Sequence, residues 1–137
     1  MIDWNKYVGI PWVYRSRDIS NGGLDCHGLV VYFYKNEFNI DIPKFQDVTS
    51  SNNAEDVYSK ACDNFAYESH NLTLVEDECK TGDVALINIF GYPIHVGIVV
   101  ADGKKLLHSR SSSGMSEIVL MEKWYRRVNG YYRSKNN

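Results

Sequence analysis

Cys26, His95 and His108 are the side chains of this chain whose types and spacing can carry covalent chemistry. Cys26 stands in Gly22-Gly23-Leu24-Asp25-Cys26-His27-Gly28-Leu29-Val30, immediately ahead of an apolar pattern. Counted from Cys26, apolar residues recur at Leu29, Val30, Phe33 and Tyr34, the stripe of a helix packed on a core. The cysteine therefore falls on the inward face of the first turn. Unpaired backbone N–H groups and the positive end of the helix dipole favour a thiolate there. The thiolate is the reactive form of cysteine, and such a position is expected to lower its pKa.

A hairpin supplies the partners. Asp102-Gly103 between two β-branched runs is a two-residue turn signal. With that loop, Ala101 faces Lys104 and Gly97 faces His108. His95 then points to the same sheet face as His108, roughly 7–8 Å away along the diagonal. A loop one residue longer or shorter would separate them onto opposite faces. Gly97 between them is expected to leave room above the sheet. A cysteine at a helix N-terminus and two histidines on the sheet that this helix covers form the nucleophile, base and orienter of acyl transfer. His95 would take the thiol proton, and His108 would accept a hydrogen bond from the other imidazole nitrogen. The Cys26 N–H would contribute to an oxyanion site. Spacing alone does not bring Cys26 to His95, and packing roles stay open for both residue types. A zinc site from Cys26, His95 and His108 is a weaker competitor, since no local ligand pair anchors it. No metal or cofactor is expected. His27 and His70, in a polar turn and a loop, are expected at the surface.

The elements that must position these groups are readable in outline. Residues 2–8 form a short helix, Gly9-Ile10-Pro11 turns the chain, and Arg15 to Gly23 is irregular and polar. The Cys26 helix runs to about Asn39, and Ile40–Pro43 is extended ahead of its proline. Asn52–Phe65 reads as a second helix capped by Asn53, with Cys62 packed inside it. Beyond residue 80 the period changes to that of strands: Asp83–Ile89, His95–Ala101, Lys104–Ser109, Glu117–Leu120 and Gly130–Arg133, with a helical turn over Met121–Arg127. Helices followed by an antiparallel sheet make an α+β domain.

Composition narrows the function. A chain of 137 residues, 44% hydrophobic, fits one folded domain over 1–137. A formal net charge of −2 argues against binding nucleic acid through phosphate contacts. No apolar run is long enough to insert in a membrane, and the opening residues carry no signal-peptide pattern. Three cysteines at unrelated spacings fit reduced thiols rather than a disulfide framework or a zinc motif. The acceptor-like Asn71-Leu72-Thr73 carries little weight without a secretion signal.

The order Leu24-Asp25-Cys26-x-Gly28-Leu29-Val30, Thr81-Gly82-Asp83-Val84, His95-Val96-Gly97-Ile98-Val99 and Leu107-His108-Ser109 resembles the NlpC/p60 superfamily of cell-wall cysteine peptidases. The resemblance implies a papain-like α+β fold with N-terminal helices on a C-terminal antiparallel sheet. It implies Cys26 as nucleophile, His95 as base and His108 as orienting residue. It also implies cleavage of the γ-D-glutamyl–diamino-acid bond, or a related amide, in peptidoglycan stem peptides. Tyr14 matches the family's tyrosine beside the nucleophile. With Asp25 and His27, which flank the cysteine, it is a candidate for binding substrate or stabilising the oxyanion. His27 stands where the family commonly has serine, and Arg15-Ser16-Arg17-Asp18 replaces the usual Gly-Gly, so substrate preference stays open.

The opening Asp3-Trp4 through Tyr7-Val8-Gly9-Ile10-Pro11 looks most like the branch found in tail-assembly proteins of long-tailed phages. That implies a virion protein, made in the host cytoplasm, that acts on the wall from the tail tip beside other tail-tip proteins. A structural tail protein of low activity, docking through Trp124-Tyr125 and Tyr131-Tyr132, is one alternative. An injected antibacterial amidase with the same triad is another.

Overall fold

The computed structural model describes residues 1–42 and 72–134. The helix expected over Asn52–Phe65, with Cys62, and the segments carrying Pro43, His70 and Asn71 lie outside the described residues. Helix α1 spans Cys26–Phe38. Asp25 caps it by accepting from the Gly28 N–H at 2.7 Å, which satisfies one donor of the open first turn. Asn39 ends it in the left-handed conformation, φ 54°, with its N–H returned to Lys35. The short helix expected near the N-terminus is a 3-10 turn over Trp4–Tyr7. It lies on α1, with the Trp4 ring stacked on Phe33 at 5.4 Å and Tyr7 donating its hydroxyl to Glu37.

Six antiparallel strands follow: β1 Leu72–Leu74, β2 Val84–Ile89, β3 Tyr92–Val100, β4 Lys105–Ser109, β5 Ser116–Leu120 and β6 Val128–Ser134. Their order across the sheet is β1-β6-β2-β3-β4-β5. The hairpin register agrees with the spacing argument, since Ile98, Val99 and Val100 pair with Leu107, Leu106 and Lys105. Asp102 at φ 52°, ψ 41° and Gly103 at φ 102° form the turn, closed by the Lys104 N–H on the Ala101 carbonyl at 3.2 Å. Ala101 is left-handed too, at φ 53°, so strand pairing ends at Val100–Lys105 and the connection is four residues long rather than the two expected, with the register unchanged. Thr81 holds the turn, its hydroxyl accepting from the Asp102 N–H at 2.9 Å. The Thr81-Gly82-Asp83-Val84 stretch also anchors β6, because buried Asp83 accepts from Arg133 at 2.8 and 2.9 Å. The helical turn expected over Met121–Arg127 is two 3-10 turns, Met121–Lys123 and Tyr125–Arg127.

Strand alternation divides the apolar residues into two cores. Val96, Ile98, Val100 and Leu107 face α1 and pack with Leu29, Val30, Phe33 and Tyr34. Val99 and Leu106 face the other way and pack with Ala85, Ile87, Met121 and Trp124. Gly97 leaves no open room, contrary to expectation. A Cβ there would stand 2.5 Å from the Leu106 Cδ1, so the Leu106 side chain fills that space.

The segment before α1 is folded under it. The Leu24 N–H donates to the Pro11 carbonyl and the Asp25 N–H to the Ser16 carbonyl, both at 2.9 Å. A Cβ on Gly28 would lie 2.2 Å from that Ser16 oxygen, a backbone atom that cannot swing aside. Gly28→Ala is therefore expected to lower the unfolding free energy by about 1–3 kcal/mol, the usual range for overpacking, as read from urea denaturation.

Candidate active site

The site forms where the start of α1 meets the middle of β3. Cys26 is half-buried at the first position of α1. It borders a cleft of about 950 Å3 that His95 also lines. The Val96 and His27 backbone N–H groups act on the sulfur to favour the thiolate. The stronger influences oppose them. Burial, reinforced by the adjacent Asp25 carboxylate, pushes the thiol up to about 11. This corrects the expectation of a lowered pKa, because desolvation outweighs the first-turn N–H groups.

His95 and His108 meet as the register requires, with His95 Nε2 2.9 Å from His108 Nδ1. They do so on the sheet face opposite α1, which corrects the expectation that the helix covers them. His95 alternates with Val96, so the imidazole belongs to the Trp124 side of β3. The Trp124 ring lies 5.9 Å from that of His95 and 5.1 Å from that of His108. Burial lowers both imidazoles, His95 to about 3 and His108 to about 4, with Arg110 acting in the same direction on each. At neutral pH the folded site thus holds a thiol and two uncharged imidazoles.

Behind His108, its Nε2 is 3.4 Å from Glu117 Oε1. That nitrogen makes no hydrogen bond among the described residues, but the charge of the neighbouring carboxylate favours a proton rather than a lone pair on it. His108 Nδ1 is then the acceptor for the His95 Nε2–H, and His95 Nδ1 is left with its lone pair for a proton. Among the described residues no group of three His, Cys, Asp or Glu is placed to hold a metal ion.

Residues 9–135 match the NlpC/P60 family. The chain belongs to that family. Its structure is similar to the NlpC/p60 domain of the peptidoglycan hydrolase SagA, with a TM-score of 0.61, 19% identity, and 94% of this chain and 91% of that one covered. It is also similar to the peptidoglycan hydrolase RipB from Mycobacterium tuberculosis, with a TM-score of 0.59 and 20% identity; 93% of this chain covers 58% of that one. NlpC1 from Trichomonas vaginalis aligns with a TM-score of 0.61 and 18% identity, over 95% of this chain and 42% of that one. At these identities the structures share the fold. A comparison of the sequence with curated proteins found no match.

Within this NlpC/P60 chain the three accessory candidates have separate fates. Asp25 is buried, accepts from Arg17 Nε at 3.0 and 2.9 Å, and caps α1, so its oxygens hold the nucleophile turn in place. His27 is buried, against the expectation of a surface position, and lies outside the cleft lining. Tyr14 is 68% exposed with the Arg15 guanidinium 5.2 Å over its ring and does not line the cleft, whereas Trp12, its ring 6.2 Å away, does. Of the replacement loop, Arg17 is buried with Asp25 and Asp18 caps the 3-10 turn Ile19–Asn21, so neither lines the cleft.

Sequence reasoning missed Glu117 and the role of Trp124. Glu117 pairs with His108 across β4 and β5, but the serine-rich link between those strands carries no signal that sets their register. Trp124 is only 6% exposed, which removes it from a docking surface; Tyr132 is buried as well.

Asp25→Ala removes the carboxylate of the buried Arg17–Asp25 pair and the side-chain cap of α1. A loss of about 3 kcal/mol is expected, measured by chemical unfolding. Acid should also weaken the fold. On unfolding the imidazoles return to their ordinary value of 6.5, so below that pH the unfolded chain binds more protons than the folded one. Stability should fall steadily as pH drops from 6.5 toward 4, and the fall should be shallower in His95→Gln/His108→Gln.

Proposed function

We propose that this protein is a cysteine peptidase that cleaves an amide bond in peptidoglycan stem peptides, of the γ-D-glutamyl–diamino-acid type. The observation that carries the reading is a thiol and a neutral imidazole lining one cleft, the imidazole tied from behind to a second histidine. The peptidoglycan hydrolases SagA and RipB share its fold, which supports the substrate class.

The pKa directions fit a coupled first step. His95 Nδ1 removes the Cys26 proton as the sulfur attacks the amide carbon, with no thiolate–imidazolium pair at rest. The resulting imidazolium is stabilised through His95 Nε2–H to His108 and onward toward Glu117. N–H groups at the start of α1 face the developing oxyanion. His95 then returns the proton to the leaving amine, and water releases the acyl group from sulfur by the reverse sequence. Each step conserves one mobile proton at His95.

The opening segment with Asp3-Trp4 and the His27 replacement supports placing the enzyme among phage tail-tip proteins that open the wall during DNA entry. An intact Cys26/His95/His108 set favours an enzyme over a structural tail protein, which has no use for three reactive groups in register.

Cys26→Ala and His95→Ala are each expected to abolish release of stem-peptide fragments from purified sacculi, read by mass spectrometry, with melting curves still cooperative. Equal release by wild type and Cys26→Ala would exclude the cysteine mechanism. His108→Ala should retain a residual rate, since His108 acts through His95 and does not touch the substrate.

A further inference from the structure

The cleft carries a charge pattern unlike that of the whole chain. The formal net charge is −2, yet the described residues lining the cleft include Arg110, Arg126 and Arg127 and no Asp or Glu. Among the described residues none of the three arginines is paired with a carboxylate. Two of them are held in place. The Arg110 and Arg127 guanidiniums lie 5.2 and 5.5 Å from the centroid of Trp124, the ring that also walls His95 and His108. Stacking on an indole fixes a guanidinium while leaving its edge N–H groups free to grip a carboxylate.

A second observation points into the same space. Besides His108 Nε2, three side-chain atoms are buried without a hydrogen-bond partner among the described residues: Asn88 Oδ1, Ser109 Oγ and Arg110 Nε. All three belong to residues that line this cleft. Buried polar atoms are ordinarily satisfied, so three orphans around one cleft mark where a polar ligand completes the bonding. The cleft is also lined by the apolar side chains of Trp12, Ile89, Phe90 and Ile94. A ligand that fits has an aliphatic stem, amide groups and an anionic end.

We propose that Arg110, Arg126 and Arg127 form a carboxylate clamp that selects peptides bearing a free carboxylate next to the scissile amide. The clamp rests on the hydrolase reading above and adds its specificity. A γ-linked glutamyl residue leaves its α-carboxyl free, a short aliphatic spacer from the carbonyl under attack. Converting that carboxyl to a carboxamide removes the charge and keeps the shape.

The test uses the full-length Cys26→Ala protein, which cannot turn over, and two synthetic stem tripeptides differing only in that acid or amide. Calorimetry should show the acid binding at least about tenfold tighter, a gap of about 1.4 kcal/mol, and the gap should narrow as salt is raised. Adding Arg110→Gln, Arg126→Gln and Arg127→Gln should bring the acid down to the affinity of the amide, with the melting curve kept as the check on folding. Three outcomes overturn the clamp: equal affinity for the two peptides, no binding of either, or a preference that survives the three substitutions. Failure of the hydrolase reading shows itself separately, as wild-type protein that leaves both peptides uncut while the acid preference persists.

Discussion

The two-residue period of β3 is the constraint on which the site depends. Val96 turns its side chain into the α1 core while its backbone N–H acts on the Cys26 sulfur. His95, one position earlier, must therefore point to the other face. There it can meet only what β4 and the Trp124 turn present. The thiol and the imidazole reach one cleft from the two sides of a strand, and a one-residue slip in β3 would displace both Val96 and His95 at once.

Electrostatics then decide how that meeting can react. The first turn of α1 is commonly a place that stabilises anions, but here Asp25 occupies it as cap and the thiol is partly desolvated. Arg17 is committed to Asp25 and is buried with it, so its charge serves the loop that grips the helix start. The thiol and both imidazoles are uncharged at rest, so on the proposed mechanism their charge appears only during the reaction. A low-dielectric surrounding strengthens each hydrogen bond aimed at that charge.

Local signals made much of this legible. The apolar stripe after Cys26 marked α1, and Asp102-Gly103 set the β3–β4 register closely enough to bring His95 beside His108. Both depend on residues near one another in sequence. What escaped depends on distant partners. Burial of the thiol is contributed by β3, many residues away, and no helix-end rule registers it. The face that α1 covers is chosen by how the whole sheet fills two cores, so Leu106 closing over Gly97 and His95 joining Trp124 lay beyond spacing arguments. Strand β1 is three residues long, too short to show a period, and it exists because β6 offers an edge to pair with.

Division of the apolar residues between the two sheet faces has a consequence for how the protein fails. Cys26 moves with the α1 core, whereas His95 and His108 move with the smaller core around Trp124. The separation of sulfur from imidazole is thus a joint property of two packings that share only the backbone of the sheet. Loosening either one misaligns the reacting atoms while the other still holds the chain folded. Warming should therefore part sulfur from imidazole before the chain unfolds.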